Sequence, residues 1–225
     1  METTSREALD EALANYISEA LQAEIQREGD ASLAVSGGST PKGVFRRLSN
    51  APLDWSKIDI TLVDERWVPP DHADSNERLA RENLLRGRAA AAHFVGLKTD
   101  HADARDGLVE ASEGLASIRR PLTLTILGMG GDGHTASWFP KANNLADLLD
   151  PSGQQALGAC DPVTAPHQRI TLTLPAVLRS REVLLHIVGT DKRRVLESAA
   201  AESLPIAHVT EQTQTPVSIW WSPDD

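Results

Sequence analysis

The sequence predicts an α/β fold in which a layered, mostly parallel central sheet is flanked by helices. Short apolar runs typical of buried strands alternate with helical stretches over most of the 225 residues. Several of these runs end abruptly in glycine, hydroxyl or charged residues, the pattern expected where strands meet a ligand-binding edge. The chain is 40% hydrophobic and carries no polar linker, so a single domain over residues 1–225 is expected.

The composition limits the classes of partner and compartment. The 22 basic and 32 acidic residues give a formal net charge of −10, which opposes non-specific binding to nucleic acid or to an anionic membrane surface. Cys160 is the single cysteine, which excludes an intramolecular disulfide framework and fits a reducing compartment. No apolar run reaches transmembrane length, and the first residues are acidic and amphipathic rather than signal-like. We therefore expect a cytoplasmic protein that binds neither nucleic acid nor membranes. The oligomeric state stays open, with a monomer favoured.

The first predicted element is a long amphipathic helix. Thr4 and Glu7 fit a capping box at its start, and Gly29 suits its end. Apolar residues follow at fourfold spacing, at Leu9, Leu13, Ile17, Leu21 and Ile25. This helix is expected to serve the core.

A strand at 31–35 leads into a glycine-rich turn at 36–41. Gly37 and Gly38 are followed by Ser39 and a threonine that suit the cap of a second helix, with the next proline as its first residue. Such a turn offers backbone N–H groups, with no Cβ in the way, to an anion or to sugar hydroxyls. An ordinary capped turn is the alternative at this stage.

The next strand, 58–63, ends in charged residues. Asp64, Glu65 and Arg66 follow it directly, and burial of such groups without partners is costly. We expect them to mark the rim of a site. Residues 74–76 read as the cap of a following helix.

The stretch around which the chain is organised is the apolar run 122–127 and the turn after it. Glycines stand at 128, 130, 131 and 133. Asp132 lies between them and His134 just beyond, and an imidazole can carry a proton in catalysis. A short helix is predicted from Thr135 to Pro140. A structural histidine and a merely capping aspartate are the alternatives.

The remaining elements complete the α/β alternation. They comprise an edge strand at 93–97, a surface helix within 100–120, a loop at 151–166, and strands at 170–174, 183–188 and 217–221, with a helix at about 191–201. Because parallel strands end at one edge, the loops after them converge. Arg66, Arg169 and Lys192 would then meet and suit a phosphate group.

Several more specific sequence motifs are incomplete or absent. The glycines after residue 127 fit G-x-G-x-x-G, but Pro140 cuts the following helix short and no second strand with an acidic end follows. A Walker loop and a G-x-S-x-G elbow are absent. Asp132-x-His134 and His72-x-Asp74 are too sparse for a metal site without further ligands. We therefore expect no metal and no organic cofactor.

Five motifs together resemble the 6-phosphogluconolactonase family. They are SGGSTP at 36–41, DERWVP at 64–69 with DSN at 74–76, LGMGGDGHTASWFP at 127–140, RITLTLP at 169–175 and GTDKR at 189–193. They occur in the family's order and span nearly the whole chain. One departure is Trp138, where a leucine is expected.

The resemblance implies hydrolysis of 6-phospho-D-glucono-1,5-lactone to 6-phosphogluconate in the oxidative pentose phosphate pathway, without a cofactor. It implies a Rossmann-like fold shared with glucosamine-6-phosphate deaminases. By position, His134 resembles the general base and Asp132 its neighbour in the active site. The substrate-binding residues expected from the motifs are Gly37, Gly38, Ser39, Asp64, Arg66, Arg169 and Lys192.

Two other functions remain as alternatives. A related sugar-phosphate isomerase or deaminase would place a glutamate five residues after the histidine, where this chain has Phe139. A non-catalytic sugar-phosphate sensor would need a segment that attaches it to DNA, and no helix-turn-helix or basic segment is present.

Overall fold

Nine strands form two sheets in the computed structural model, which describes residues 1–223. The strands are β1 Ala31–Val35, β2 Ile58–Leu62, β3 Asp64–Arg66, β4 His93–Val95, β5 Leu122–Leu127, β6 Leu157–Cys160, β7 Arg169–Leu172, β8 Ser180–Val188 and β9 Val217–Ser222. The helices are α1 Arg6–Glu28, α2 Lys42–Leu48, α3 Asn76–Asn83, α4 Leu108–Ala116, α5 Leu145–Leu149, α6 Leu174–Leu178, α7 Thr190–Ser198 and α8 Ala207–Thr210. Short 3₁₀ turns lie at Trp55–Lys57 and Gly87–Ala91.

The larger sheet has the order β4-β2-β1-β5-β8-β9, and every pairing in it is parallel. This confirms the predicted α/β architecture. The chain builds outward from β1 through β2 to β4, then returns to the other side of β1 with β5, β8 and β9. The order therefore reverses between β1 and β5, and a crevice opens beyond the carboxyl ends of strands at such a reversal.

A second, antiparallel sheet of order β3-β7-β6 was not predicted. The expected rim segment after β2 forms β3, and the expected loop at 151–166 contains β6. Both strands are very short, and β6 is rich in small residues, so neither carries the apolar run that identifies a strand. Their partner β7 brings residue 169 opposite residue 66.

Two helix starts differ from the prediction. Ser5, not Thr4, caps α1, and its side chain accepts a hydrogen bond from the N–H of Ala8. The cap residue of α2 is Pro41, and no side chain within residues 1–223 caps that helix. The carbonyls of Ser39 and Thr40 instead accept hydrogen bonds from Arg6.

The segment from Thr135 to Pro140 is not helical. Its polar groups bond elsewhere: the Thr135 hydroxyl donates to the carbonyl of Gly128, and the Ser137 N–H donates to the Thr171 hydroxyl. The Trp138 indole N–H donates to the carbonyl of Leu172, and its side chain is fully buried. The bonds of Ser137 and Trp138 attach the segment to β7.

The core forms around the larger sheet and the buried face of α1. The predicted stripe of α1, from Leu9 to Ile25, is buried, and the helix packs against β1, β5, β9 and α2. All residues of β1 and β5 are buried as well. No helix in residues 1–223 is long and apolar enough to cross a membrane.

Candidate active site

A cavity of about 250 Å³ lies at the carboxyl ends of the central strands. Seven of the predicted site residues line it: Gly37, Gly38, Ser39, Asp64, Arg66, His134 and Lys192. A neighbouring cavity shares Asp64, Arg66 and His134, and adds Arg169. Asp132 lines neither cavity and contacts His134 instead. The folded chain thus gathers these sequence-distant residues at one edge of the sheet.

His134 and Asp132 form a close pair. The ring Nδ1 of His134 lies 2.5 Å from Asp132 Oδ1, which also accepts the backbone N–H of His134 at 3.2 Å. Partial burial opposes ionisation of Asp132, but its electrostatic interaction and hydrogen bonds with His134 outweigh burial and lower the pKa of Asp132. An ionised carboxylate accepts a proton-bearing Nδ1. Nε2 therefore keeps a lone pair that can take a proton.

The glycine turn fixes the orientation of the His134 ring. A Cβ on Gly130 would stand 2.2 Å from His134 Cε1, so only glycine allows the ring to pack there. Gly130 N–H donates to the carbonyl of His134 at 2.9 Å, and Gly133 has a φ of +76°. On the other side, Phe139 stacks on the imidazole with ring centroids 4.4 Å apart.

The turn between β1 and α2 is shaped by two contacts. A Cβ on Gly37 would overlap Asn76 Oδ1 at 1.8 Å, so glycine lets α3 approach the turn. Arg6 donates to the carbonyls of Ser39 at 3.1 Å and of Thr40 at 3.4 Å. Because the C=O and N–H of a trans peptide point in opposite directions, the N–H of Thr40 points away from Arg6. Arg6 thus supports the turn from behind.

Asp64 is held by two polar groups, Ser137 and Asn76, for which the sequence predicts only a place in a helix or at a helix cap. Its Oδ2 accepts the Ser137 hydroxyl at 2.6 Å, and Asn76 donates to its carbonyl at 2.8 Å. The motifs that contain Ser137 and Asn76 were visible in the sequence. Their contacts were not, because a hydroxyl or amide in a turn usually bonds locally.

Glu65 is fully buried, which contradicts the expected position on the rim. Its carboxylate accepts the N–H groups of Arg66, Asn76 and Glu77, each at 2.7 Å, and the Ser75 hydroxyl at 3.0 Å. Burial raises its pKa, although these hydrogen bonds oppose the shift. Glu65 thereby joins the start of α3 to β3, and it positions Arg66 and Asn76 beside the cavity.

Arg66 and Arg169 stand directly opposite each other on β3 and β7. Arg169 is buried, and its pKa is lowered by that burial and by the charge of Arg66. Within residues 1–223 its guanidinium forms no ion pair, and its Nε has no hydrogen-bond partner. Two facing like charges are destabilising unless an anion joins them. The pair is therefore suited to a phosphate or carboxylate group.

Lys192 is a second cation that lines the cavity. Burial, followed by the charge of Arg6, lowers the pKa of Lys192. The side chain of His186 is 2% exposed and lines the cavity, and neither ring nitrogen has a hydrogen-bond partner in the described part of the chain. Burial and the charges of Arg6 and Lys192 lower the pKa of His186 to about 4. Neither His186 nor Arg6 was predicted from the sequence, because His186 lies within an apolar strand and Arg6 opens an ordinary amphipathic helix.

One family model and several relatives match nearly the whole chain. The model describes glucosamine-6-phosphate isomerases/6-phosphogluconolactonase and matches residues 4–220. A 6-phosphogluconolactonase of Rhizobium meliloti is 43% identical over 220 residues, which are 96% of this chain and 95% of the relative. The 6-phosphogluconolactonase of Pseudomonas aeruginosa is 40% identical over 94% of this chain and 89% of its own length.

Solved structures agree with these matches. The crystal structure of a 6-phosphogluconolactonase from Shewanella baltica superimposes with a TM-score of 0.95 at 45% identity, covering 98% of this chain and 96% of the other. A monomeric glucosamine-6-phosphate deaminase shares the fold, with a TM-score of 0.76 at 17% identity over 99% of this chain and 96% of its own.

Proposed function

Because the chain belongs to the glucosamine-6-phosphate isomerase/6-phosphogluconolactonase family, we propose that it hydrolyses 6-phospho-D-glucono-1,5-lactone to 6-phosphogluconate in the oxidative pentose phosphate pathway. The relatives that cover most of the chain at 40% identity or more are named 6-phosphogluconolactonase, which identifies an ester hydrolase acting on a lactone. The observation that supports the chemistry is the His134–Asp132 pair, which leaves Nε2 as a base beside a cavity walled by cations.

His134 acts on water in the proposed mechanism. A δ-lactone is an activated ester, so no covalent intermediate with the protein is needed. Nε2 takes a proton from water while the water oxygen bonds to the carbonyl carbon. The bond from that carbon to the ring oxygen then breaks, and the imidazolium returns the proton to the ring oxygen. Asp132 orients the ring and stabilises its charged form between the two transfers.

The cations and the glycine turn hold the substrate phosphate in this proposal. The turn supplies backbone N–H groups, and Arg66, Arg169 and Lys192 supply charge. Asp64, fixed by Ser137 and Asn76, is available to sugar hydroxyls. Phosphate binding away from the reacting carbon orients the ring for attack, and that orientation lowers the barrier. Neither step calls for a metal or an organic cofactor.

Phe139 disfavours the isomerase or deaminase alternative. It occupies the position where the deaminase pattern has a glutamate, and its ring stacks on His134. An apolar ring there cannot carry the proton that ring opening requires. A non-catalytic sensor would bind the same ligand without turnover, so measured turnover eliminates it.

We further propose that residues 1–225 form a single domain that acts in the cytoplasm as a monomer. Residues from both sheets line one cavity, which supports a single unit. The single cysteine is buried, and its burial raises its pKa to about 11, which suits an unreactive thiol in a reducing compartment.

The proposal is tested by replacing the base. We expect the wild-type chain to hydrolyse freshly generated 6-phosphogluconolactone above the spontaneous background. His134→Ala should lower kcat by about 10²- to 10⁴-fold, the usual contribution of a general base.

The chain offers a matched control for this experiment. His93 also pairs with an aspartate, its Nδ1 lying 3.0 Å from Asp59 Oδ1, but at the start of β4 and outside the cavity. His93→Ala should leave kcat unchanged. Wild-type turnover in the His134 variant would eliminate the assigned base, whereas absence of turnover in the wild-type chain would eliminate the lactonase itself.

A further inference from the structure

Three potential metal ligands lie together beside the active-site cavities. His72 and Asp74 belong to the segment between β3 and α3, and His167 precedes β7. One ligand atom from each lies within 4.8 Å of the other two. The sequence shows only His72-x-Asp74, which is too sparse for a metal site, and the third ligand is 93 residues away from Asp74. The pairing of β3 with β7 brings it into place.

The geometry directs the ligand atoms toward one another. His167 Nε2 lies 2.9 Å from Asp74 Oδ2, and His72 Nδ1 lies 3.9 Å from the same oxygen. The N–H of Asp74 donates to His72 Nδ1 at 3.1 Å, so that nitrogen carries a lone pair rather than a proton. The two imidazole rings are arranged edge to face, with centroids 5.6 Å apart.

His167 is held in an uncommon backbone conformation. Its φ is +68°, in the left-handed region that costs free energy for a residue with a side chain. The neighbouring Gln168 maintains it: the carbonyl of Gln168 accepts the Trp67 N–H at 2.7 Å, and its side chain donates to Asp103 and accepts from Ala104. Non-glycine residues in this region cluster at functional sites. Here the conformation carries the imidazole to Asp74.

Asp74 is an anionic ligand already in position. Its backbone carbonyl accepts a hydrogen bond from Arg66 at 2.6 Å, which fixes the main chain. Its side chain is 50% exposed and that of His72 is 42% exposed, so both can rotate.

We propose that His72, Asp74 and His167 bind a divalent transition-metal ion of the Zn²⁺ class. Two imidazoles and one carboxylate with open positions are a ligand set of zinc sites, whereas Mg²⁺ and Ca²⁺ take oxygen ligands. Zinc bonds of about 2.0–2.2 Å require ligand separations of roughly 3.3 Å, which the rotation of exposed side chains can supply. Asp74 and His167 line the same cavity as Arg66 and Arg169, so the open position faces the place proposed for an anionic substrate. The site is separate from the His134–Asp132 pair and takes no part in the proposed hydrolysis.

The test measures zinc binding directly. Untagged, metal-free protein is titrated with Zn²⁺ against a chromogenic chelator. We expect one zinc ion per chain, and a dissociation constant raised by at least roughly tenfold in His72→Ala and in His167→Ala. His93→Ala is the matched control, because His93 and Asp59 form a similar pair without a third ligand among the described residues. Equal affinity in the wild type and both ligand variants would overturn the proposal.

Two further measurements keep the result decisive. If His134→Gln loses zinc binding and His72→Ala does not, the ion sits on the proposed base and the proposed site is wrong. In the wild-type protein, imidazole NMR signals of His72 and His167 should shift on zinc addition. Shifts confined to other histidines would overturn the proposal even if a variant failed to fold. The outcome is independent of lactonase turnover, because no step of that reaction uses the ion.

Discussion

The two edges of the larger sheet use the same charged groups in opposite ways. At the amino edge, Arg27 and Arg181 both pair with Glu24, which is buried. Arg119 at the same edge pairs with Glu28 and Asp30. Each of these cations has a carboxylate partner. At the carboxyl edge, Arg169 faces Arg66 across the pairing of β3 with β7, so like charges are neighbours.

This difference separates two uses of charge. A cation paired with a carboxylate stabilises the folded chain, and its charge is already neutralised, so it does not attract an anionic ligand. A cation held beside another cation opposes folding, and the cost is recovered when an anion binds. The carboxyl edge is therefore organised for binding, and removal of one charge should have opposite consequences at the two edges.

The largest effect is expected from Arg169→Met at the carboxyl edge. Loss of a charge-assisted contact to phosphate should lower kcat/KM for 6-phosphogluconolactone by about 10- to 100-fold. The kcat/KM for an unphosphorylated gluconolactone should fall much less. The free energy of unfolding of the variant should equal or exceed that of the wild type. Equal losses of kcat/KM on both lactones would contradict the proposed phosphate contact.

The second prediction concerns the loss of folding stability at low pH that the buried His186 causes. The unfolded chain binds a proton at His186 near pH 6.5, whereas the folded chain binds one only near pH 4. Acid therefore favours the unfolded state as the pH falls from 6.5 toward 4. The charges of Arg6 and Lys192 contribute to this low pKa of His186, although the Asp10 carboxylate also lies 3.7 Å from Nε2. At pH 5 the cost is about 2 kcal/mol.

His186→Leu should remove this part of the acid sensitivity. Urea unfolding at pH 7.5 and at pH 5.0 measures it, since the wild type should lose about 2 kcal/mol more than the variant over that interval. An identical loss in both proteins would show that His186 is protonated in the folded chain.

A smaller effect is expected from Glu24→Gln at the amino edge. Burial opposes ionisation of Glu24, but its bonds from Arg27 and Arg181 outweigh burial and lower its pKa. The variant should lose about 1–2 kcal/mol of unfolding free energy, because both arginines are partly exposed and regain water. Its kcat/KM should be unchanged. A loss of activity at constant stability would mean that the two edges are not independent.

Periodicity predicted the larger sheet well, because β1 and β5 are continuous apolar runs with abrupt ends. The second sheet escaped prediction because β3 and β6 are only 3 and 4 residues long and gain their stability from β7. The predicted helix after Thr135 failed for a related reason: the hydrogen bonds of Ser137 and the Trp138 side chain go to residues 34 positions away. The local sequence pattern gives no information about hydrogen-bond partners so far away along the chain.

The candidate site was predicted through residue types with one dominant chemistry. His134, Arg66, Arg169 and Lys192 are residues of such types, and all four line the two cavities. Ser137, Asn76 and Arg6 escaped, because a hydroxyl, an amide or a helix-end arginine has many ordinary roles. Glu65 escaped because a charged residue is rarely fully buried. Three of its four donors come from the start of α3, at Ser75, Asn76 and Glu77, which no local window includes, and the fourth is the N–H of the adjacent Arg66.

The reversal of strand order has a consequence for how activity arises during synthesis. The glycine turn and Arg66 come from the first half of the chain, whereas His134, Arg169 and Lys192 come from the second. A nascent chain that has placed only β1, β2 and β4 holds one wall of the cavity and no base. Catalysis should thus appear in a single late step, once β8 and α7 have docked, and recovery of turnover during refolding should lag behind the first recovery of helix and sheet signals.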